Sequence, residues 1–366
     1  MRKRAVVLAC FFLVFSCQKK GYDKNQLTVA LLNHSYYSLS QDEVKRLVDE
    51  GPSAIKKIDK NFEIVYLKGK KVREKNGFRN EKVFYYPFVL KKDKDRYLIA
   101  KVFDYTIAYE AGLKNGILKK IDDASPDPDP CRLAEYISKK ESLLLSYNDG
   151  RADWRLVVKK EMNVFPFVWS MMLDSDTAYI NIVSLSKNSS TYFKNNVMNL
   201  INRGVKKLII DLRDVSAGNY DEVANIISYF SKDSKNYFIR SSKEGYSRKF
   251  DVSQSPFKNM DVSVVVDKKT SLLGEIIAQS LKEWGAFVVG EKTSGNIYIT
   301  KMFKLAHNAA AQITIAKLYP PSGKDMDDGI TPDVNVSYTG YKKYSVNYVI
   351  DCDVAVMKAF ELLSHH

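Results

Sequence analysis

From residue 177 onward, strand-like and helix-like segments alternate along the chain. The strand-like runs, such as VKKLIID and VSVVVD, are short, rich in β-branched residues and apolar throughout their centres. Between them lie segments with a helical spacing of apolar residues, such as EIIAQSLKEWG. This alternation is typical of a largely parallel sheet covered by helices, and continuously apolar strands are typical of a sheet buried on both faces. The sequence therefore predicts an α/β core with a mostly parallel sheet over residues 163–366.

Residues 83–162 show a different pattern, which predicts a β-rich domain. Two strand-like runs, VFYYPFVL and RYLIAKVF, are separated by the charged KKDKD, and a later hairpin is expected to turn at Asn148-Asp149-Gly150. The run Ala111-Gly112-Leu113, followed by Gly116, resembles the short helix and glycine turn of a PDZ domain. A PDZ-like domain would bind an extended polypeptide end by strand addition. The glycine-rich loop that usually holds the terminal carboxylate is not visible in VFYYPFVL.

The N-terminus predicts export and membrane attachment. MRKR is cationic, AVVLACFFLVF is apolar and Ser16-Cys17 follows, which together resemble a bacterial lipoprotein signal over residues 1–17. The resemblance implies that Cys17 is acylated and that lipid anchors the protein in the bacterial cell envelope, on a periplasmic or extracellular face. An ordinary cleaved signal peptide is the alternative.

Residues 18–82 are expected to form a tether that leads into a small helical region. SQDEVKRLVDEGPSAIKKI has Ser40 at a capping position, acidic residues in the first turn and a break at Gly51-Pro52. The sequence therefore predicts two short helices on either side of that break.

The charge and the metal-ligating residues exclude several function classes. The chain of 366 residues has a formal charge of +14, but its lysines are scattered among acids, which indicates a solvated surface rather than a nucleic-acid site. Cys131 and Cys352 do not form a metal site, and the sequence leaves a disulfide between them open. With four histidines, two of them at the C-terminus, a metal cluster or a Ser-His-Asp triad is not expected. No metal or cofactor is predicted.

Three stretches of the α/β region together resemble the C-terminal processing, or tail-specific, serine peptidase family. KKLIIDLRDVSAGN resembles the family's strand and double-glycine turn, with Ala217-Gly218 at the turn. SVVVDKKTSLLGEIIAQSLKEWGAFVVGEKTSGN resembles its nucleophile helix and the turn after it, and YPPSGKDMDDGITPDV resembles a third family segment. With the PDZ-like domain ahead of these stretches, the resemblance covers residues 30–363.

The resemblance implies hydrolysis of peptide bonds by a serine and a lysine. In the family a serine at a helix N-terminus attacks the peptide carbonyl, and a lysine kept neutral by burial accepts its proton. Backbone amides at the double-glycine turn, here Ala217 and Gly218, hold the oxyanion. Asp211 and Arg213 are expected to brace this turn through charge-assisted hydrogen bonds. The implied partner is a polypeptide substrate or a protein C-terminus.

The position of the nucleophile has two candidate assignments. Counting from Gly274-Glu275 places Leu272, which has no ionisable group, where the family has its serine. Counting from Gly290-Glu291 places Ser271 there instead. Ser271 also suits a helix N-cap, where its hydroxyl would accept a hydrogen bond from an amide of the first turn. The sequence leaves these assignments open.

The position of the lysine carries Asn296, which follows GEKTSG and cannot act as a general base. Lys292 lies close by in sequence and is expected to be a surface residue. Some relatives use a histidine-glutamate arrangement, for which Glu291 is a candidate, but His34 and His307 do not lie in matching motifs. We expect His307 to be a structural residue on a strand pair.

These observations favour a membrane-tethered homologue of the C-terminal processing peptidases that binds peptides or protein C-termini. Its Ser/Lys dyad is degenerate, with Leu272 and Asn296 at the two positions, so proteolysis would be weak or lost. The alternative is an active serine endopeptidase that uses Ser271. A third hypothesis is a non-catalytic structural or assembly lipoprotein.

Overall fold

The structure is a computed structural model that describes residues 21–66, 84–162, 166–231, 237–242, 247–249, 255–337 and 348–365. The expected signal peptide and Cys17 lie outside these residues. The chain divides into two units, of which the first comprises Met1–Val72 and Thr300–Thr314 and the second comprises Arg73–Ile299 and Ile315–His366. Among the described residues, no helix combines the length and the apolar character needed to cross a membrane.

The helices and strands of the described residues are numbered in chain order. The helices are α1 (Lys24–His34), α2 (Gln41–Glu50), α3 (Pro52–Ile58), α4 (Ile107–Glu110), α5 (Pro130–Lys139), α6 (Ser189–Ile201), α7 (Tyr220–Ser228), α8 (Leu273–Glu283) and α9 (Val354–Ser364), with a short 3₁₀ helix at Ile350–Cys352. The strands are β1 (Glu63–Tyr66), β2 (Phe84–Tyr85), β3 (Phe88–Asp93), β4 (Arg96–Val102), β5 (Gly116–Ile121), β6 (Ser142–Asn148), β7 (Asp153–Lys159), β8 (Glu161–Met162), β9 (Val168–Met172), β10 (Thr177–Ile182), β11 (Lys207–Asp211), β12 (Tyr237–Ser242), β13 (Ser247–Lys249), β14 (Asp261–Val266), β15 (Phe287–Gly290), β16 (Tyr298–Leu305), β17 (Ala309–Tyr319) and β18 (Val334–Asn335).

The first unit is a small helical domain that includes a β-hairpin. Ser40 caps α2 as expected, and its hydroxyl and backbone amide exchange hydrogen bonds with the backbone and side chain of Glu43. The helices α1, α2 and α3 share one apolar core with residues of the hairpin. β1 pairs antiparallel with the first part of β17. Thr300–Thr314, which the sequence analysis left in the C-terminal core, thus form part of this unit.

The centre of the second unit is a six-stranded sheet in the order β18-β15-β14-β11-β10-β9. Its neighbouring strands run parallel except at the edge strand β9, which is antiparallel to β10. Leu208 and Ile210 of β11 pack into one apolar cluster with α6, α7 and α8, whereas Ile209 packs into another cluster with α9. Successive side chains of a strand point to opposite faces, so the sheet is buried on both sides. The prediction of a mostly parallel, doubly covered sheet is confirmed.

Residues 84–162, called the insert below, contain an antiparallel five-stranded sheet in the order β3-β4-β5-β6-β7, together with α4 and α5. A disulfide joins Cys131 of α5 to Cys352, so the pairing that the sequence left open is present. Tyr348, Val349 and Cys352 also belong to the apolar core of the insert. The insert is therefore attached, covalently and by packing, to the segment that leads into α9.

Candidate active site

Three loops meet at the carboxyl ends of three neighbouring parallel strands. β11 leads into residues 212–219, β14 into residues 267–272 before α8, and β15 into residues 291–297. Because parallel neighbours end at the same edge of a sheet, loops that follow them lie close together. The three loops contain the expected oxyanion turn, both nucleophile candidates, the lysine position and Glu291.

Backbone hydrogen bonds join the loops directly. The amide of Ser271 donates to the carbonyl oxygen of Val215 over 3.0 Å, and the amide of Leu272 donates to the carbonyl oxygen of Asn296 over 2.9 Å. At Gly274 a Cβ atom would lie 2.4 Å from the Val215 oxygen, so glycine lets α8 approach the turn this closely. The structure thus brings together the expected oxyanion turn, both nucleophile candidates and the lysine position.

Leu272 has a backbone conformation that is unusual for its residue type. Its φ of 44° and ψ of −113° lie outside the regions that residues with a side chain normally adopt, and it stands at the N-cap position of α8. Such a conformation costs on the order of 1–3 kcal/mol, and strained residues of this kind cluster at functional sites. In the nucleophile elbow of α/β-hydrolases, the strained residue between strand and helix carries the attacking group. Here that residue is a leucine, whose alkyl side chain cannot attack a carbonyl.

Ser271 lies one residue before the strained position and does not cap the helix. In the described structure no side chain accepts a hydrogen bond at the start of α8, and the amide of Gly274 donates to the backbone oxygen of Ser271 over 2.9 Å. The N-cap interpretation of Ser271 is therefore wrong. The residue is 9% exposed, and within the described part of the chain its hydroxyl forms no hydrogen bond. Among the described residues, therefore, no base is hydrogen-bonded to this hydroxyl.

The candidate base position carries an amide, and a buried lysine of the same unit is permanently charged. Asn296 and Lys292 are both exposed, the latter as expected for a surface residue. The Lys317 amine is buried, and its Nζ lies 2.8 Å from the carboxylates of both Asp325 and Asp327. Burial alone would lower the pKa of Lys317, but hydrogen bonds with the two carboxylates outweigh burial and raise it. An amine that stays protonated cannot accept a proton from a nucleophile.

The turn of Ala217 and Gly218 has free backbone donors. A Cβ atom at Gly218 would lie 2.4 Å from the Cβ of Leu185, so glycine is required there, whereas the φ of Ala217 is not positive. The amide of Asn219 donates to the carbonyl oxygen of Leu185 over 2.8 Å, which fixes the turn against its neighbour. The amides of Ala217 and Gly218 make no hydrogen bond to any residue that the structure describes. Such amides are the donors that an oxyanion or a peptide carbonyl requires.

A buried ion cluster lies immediately before this turn. The Nη2 atom of Arg213 lies 2.6 Å from Asp211 Oδ2 and 2.6 Å from Asp353 Oδ2, and all three side chains are buried. The Tyr179 hydroxyl donates to Asp211 over 2.7 Å. The expected contact between Asp211 and Arg213 is therefore present, but sequence reasoning missed Asp353. Its only local signal is that of an aspartate at the N-cap of α9.

Glu275 is a second residue whose role the sequence did not reveal. Its side chain is fully buried, and Oε1 accepts hydrogen bonds from the Thr293 hydroxyl and, over 2.7 Å, from the amide of Gly295. Oε2 has no partner among the described residues, and burial raises the pKa of this carboxyl above its usual value. The Thr293 hydroxyl in turn accepts from the amide of Ile330 over 2.7 Å. Glu275 thus holds the loop of residues 291–297 against the first turn of α8.

The candidate residues of a histidine-glutamate arrangement have other surroundings. Glu291 follows β15, and its amide donates to the carbonyl oxygen of Val266 over 3.3 Å. In the first unit, the ring of His34 stacks on Phe303 with centroids 4.7 Å apart. His307 lies in the turn between β16 and β17 with a φ of 59°, not on a strand as expected, because the two strands end on either side of it.

The sequence model of peptidase family S41 matches residues 176–336, which contain all three loops. The chain is 29% identical over 159 residues to carboxyl-terminal-processing peptidase 2, chloroplastic, of Arabidopsis thaliana, a match that covers 42% of this chain and 31% of that protein. It is 24% identical over 165 residues to carboxy-terminal processing protease CtpB of Bacillus subtilis, covering 44% of this chain and 34% of that protein. The matches thus span about a third of the length of these relatives.

A solved structure extends the likeness to most of the chain. The photosystem II D1 C-terminal processing protease superposes with a TM-score of 0.53 at 14% sequence identity, over 91% of this chain and 96% of that chain. At this level of identity the superposition shows a shared fold. Taken with the sequence matches over the three loops, it shows that residues 176–336 are similar to the peptidase S41 domain of the C-terminal processing peptidase family.

Proposed function

We propose that this protein is a membrane-tethered member of the family that binds polypeptides or protein C-termini and cleaves them weakly or not at all. The observation that carries the proposal is the backbone contact between Leu272 and Asn296. On this proposal the two residues occupy the positions of the family's serine and lysine. An alkyl side chain supplies no nucleophile and a carboxamide accepts no proton at neutral pH, so both steps of the dyad mechanism are blocked.

The size of the expected loss follows from the way such dyads work. Nucleophile and base act as a unit, and removal of either one typically costs several orders of magnitude in rate. The oxyanion turn alone can stabilise a peptide carbonyl, but it cannot start the reaction. Residual cleavage by the parent chain should therefore lie close to background.

Binding does not depend on the dyad. The free amides of Ala217 and Gly218 can donate to a carbonyl of a bound polypeptide, as they would to an oxyanion. The insert supports a second contact, because an antiparallel sheet with two short helices suits a PDZ-like domain that adds an extended peptide as a further strand. We propose that a polypeptide end is held by one or both of these elements.

Membrane attachment completes the proposal. Acylation of Cys17 would place the polypeptide-binding domain at a membrane of the bacterial cell envelope. The substrate or partner would then be a polypeptide that is present at that surface.

One observation favours the alternative of an active endopeptidase. The hydroxyl of Ser271 is free of hydrogen bonds within the described residues and stands two residues before the first residue of α8. A hydroxyl in that position could attack a carbonyl held at the Ala217-Gly218 turn if a base were supplied, for example by the substrate.

Two measurements on the purified full-length chain test the proposal. Binding of fluorescently labelled unfolded polypeptides is followed by anisotropy, and cleavage of the same polypeptides is followed by mass spectrometry. We expect saturable binding with negligible cleavage, and unchanged binding for Ser271→Ala. Efficient cleavage that Ser271→Ala abolishes would establish the endopeptidase instead. Neither binding nor cleavage would favour the structural or assembly lipoprotein.

A further inference from the structure

The segment that precedes α9 is fixed to the insert at three points. Cys352 forms the disulfide with Cys131, Val349 pairs with Leu90 of β3 through a β-bridge, and the side chain of Asp351 accepts a hydrogen bond from the amide of Lys92 over 2.6 Å. The disulfide is the only covalent one of these contacts. It therefore restricts where the next residue along the chain can lie.

That next residue is Asp353, which connects the segment to the candidate site. It caps α9 by accepting from the amide of Val356 over 3.2 Å, and its two oxygens lie 2.6 Å and 3.3 Å from the guanidinium of Arg213. Arg213 stands two residues before Val215, whose carbonyl oxygen accepts a hydrogen bond from the amide of Ser271. A continuous path of covalent bonds and short polar contacts thus runs from Cys131 to the loops of the site.

Because the charges along this path are buried, a movement of Asp353 affects Arg213 strongly. A buried guanidinium that loses one of its carboxylate partners is strongly destabilised. Movement of Asp353 would therefore either draw the Arg213 side chain along or leave it bonded to Asp211 alone. Since Arg213 lies two residues before the Val215–Gly218 turn, a shift at Cys352 would reach the amides of the turn through it. The rest of the cluster, Asp211 and Tyr179, is attached to the central sheet and does not move with the insert.

We infer that the Cys131–Cys352 disulfide positions the polypeptide-binding turn through Asp353 and Arg213, which makes binding at the turn sensitive to reduction. This inference rests on the proposed function, since it describes the regulation of the same site. Asp353 acts here as a positioning residue and the disulfide as a redox-sensitive brace.

The redox step is an ordinary exchange with a dithiol reductant. One thiolate of the dithiol attacks the sulfur of Cys131, which is partly exposed, whereas Cys352 is only 2% exposed. The S–S bond breaks, and Cys352 leaves as a thiolate and takes up a proton. The second thiol of the reductant then displaces Cys131. Two protein thiols and one oxidised dithiol result, so the dithiol supplies both electrons and both protons.

The test compares the oxidised full-length chain with the same chain reduced by dithiothreitol. We expect reduction to weaken the binding of a labelled unfolded polypeptide by about five-fold or more, the range typical of coupled sites. Hydrogen exchange should become faster in the turn of residues 213–219 and stay unchanged in β14. Asp353→Asn in the oxidised chain should reproduce both effects and make binding insensitive to the reductant. Ser138→Ala on α5 is the matched control, and it should respond to reduction as the parent does.

The outcomes separate this inference from the proposed function. If the oxidised chain binds polypeptide and reduction changes neither affinity nor exchange at the turn, the inference is wrong while the proposed function stands. If the oxidised chain binds nothing, the proposed function fails, and exchange at the turn still decides whether the disulfide positions it. If reduction also deprotects β14, Asp353→Asn decides the question, and parent-like exchange in that variant overturns the inference.

Discussion

Restoring the dyad is the most direct test of the assignment of Leu272 and Asn296. The amide of Leu272 and the carbonyl oxygen of Asn296 are 2.9 Å apart, so side chains introduced at these positions start from adjacent backbone segments. Leu272→Ser puts a hydroxyl on the strained residue at the start of α8, and Asn296→Lys puts an amine beside it. Loss of the partly buried leucine side chain should lower the free energy of unfolding by about 1–3 kcal/mol, so the double variant should still fold.

The rate gain depends on the environment of the new amine. A positioned general base contributes about 10²–10⁴-fold, so the double variant should exceed Leu272→Ser alone by this factor once its amine is deprotonated. Asn296 is exposed, however, and a lysine in water keeps a pKa of about 10.4. Most of the amine would be protonated at pH 7. We therefore expect weak cleavage at neutral pH that increases about ten-fold per pH unit up to that pKa.

The assay is cleavage of an unfolded protein at pH 7 and pH 9, followed by mass spectrometry of the products. The matched control is Leu272→Ser with Asn296→Met, which has a side chain of similar shape without an amine. Each single variant and the control should stay near background, because the two groups act together. A folded double variant that is no faster than the control at pH 9 would refute the assignment. A parent that cleaves efficiently and is inactivated by Ser271→Ala would move the nucleophile to Ser271.

Three further predictions address the anchor, the buried carboxyl and the ion cluster. Cys17→Ser should move the protein from the membrane to the soluble fraction on immunoblots, because lipid supplies the anchoring free energy, and retention after a salt wash would contradict this. Burial raises the pKa of Glu275, so folding takes up a proton there, and parent stability should fall as the pH rises above the usual value of 4.5 towards the raised one. The free energy of unfolding of Glu275→Gln, measured with urea, should therefore exceed that of the parent by an amount that grows across this window by at most about 1.4 kcal/mol per pH unit. A difference that stays constant with pH would argue against a raised pKa. Arg213→Met should lower the free energy of unfolding by about 3–5 kcal/mol, whereas Arg132→Met, which breaks an exposed pair, should cost less than about 1 kcal/mol, and equal losses would rule out a buried brace.

The sequence predicted the parallel sheet because its signal is local. A run such as VKKLIID carries the apolar content of a doubly buried strand within a few residues, and the helices between such runs carry their own period. The Ser40 cap of α2 was predictable for the same reason, since a capping residue and its partner Glu43 are three positions apart. Each of these features depends on neighbours in the sequence.

The features that the sequence did not predict depend on distant residues. Asp353 is 140 positions from Arg213, and Cys131 is 221 positions from Cys352, so no local pattern indicates either contact. The sequence left the assignment of Leu272 open for another reason. The two glycine-glutamate anchors place the nucleophile one residue apart, and no local pattern in the sequence chooses between Leu272 and Ser271.

This chain has the glycines that shape the candidate site but has no reactive group at the strained residue before α8. Gly218 and Gly274 permit contacts that any Cβ atom would prevent, and they keep the turn and α8 in the arrangement that exposes the free amides. Leu272 keeps a strained conformation without a reactive group to display. If the domain served only a structural role, a relaxed backbone at Leu272 would be more stable, because strain costs free energy. The proposed binding of a polypeptide carbonyl at this turn would give that cost a function, which favours binding over a purely structural role.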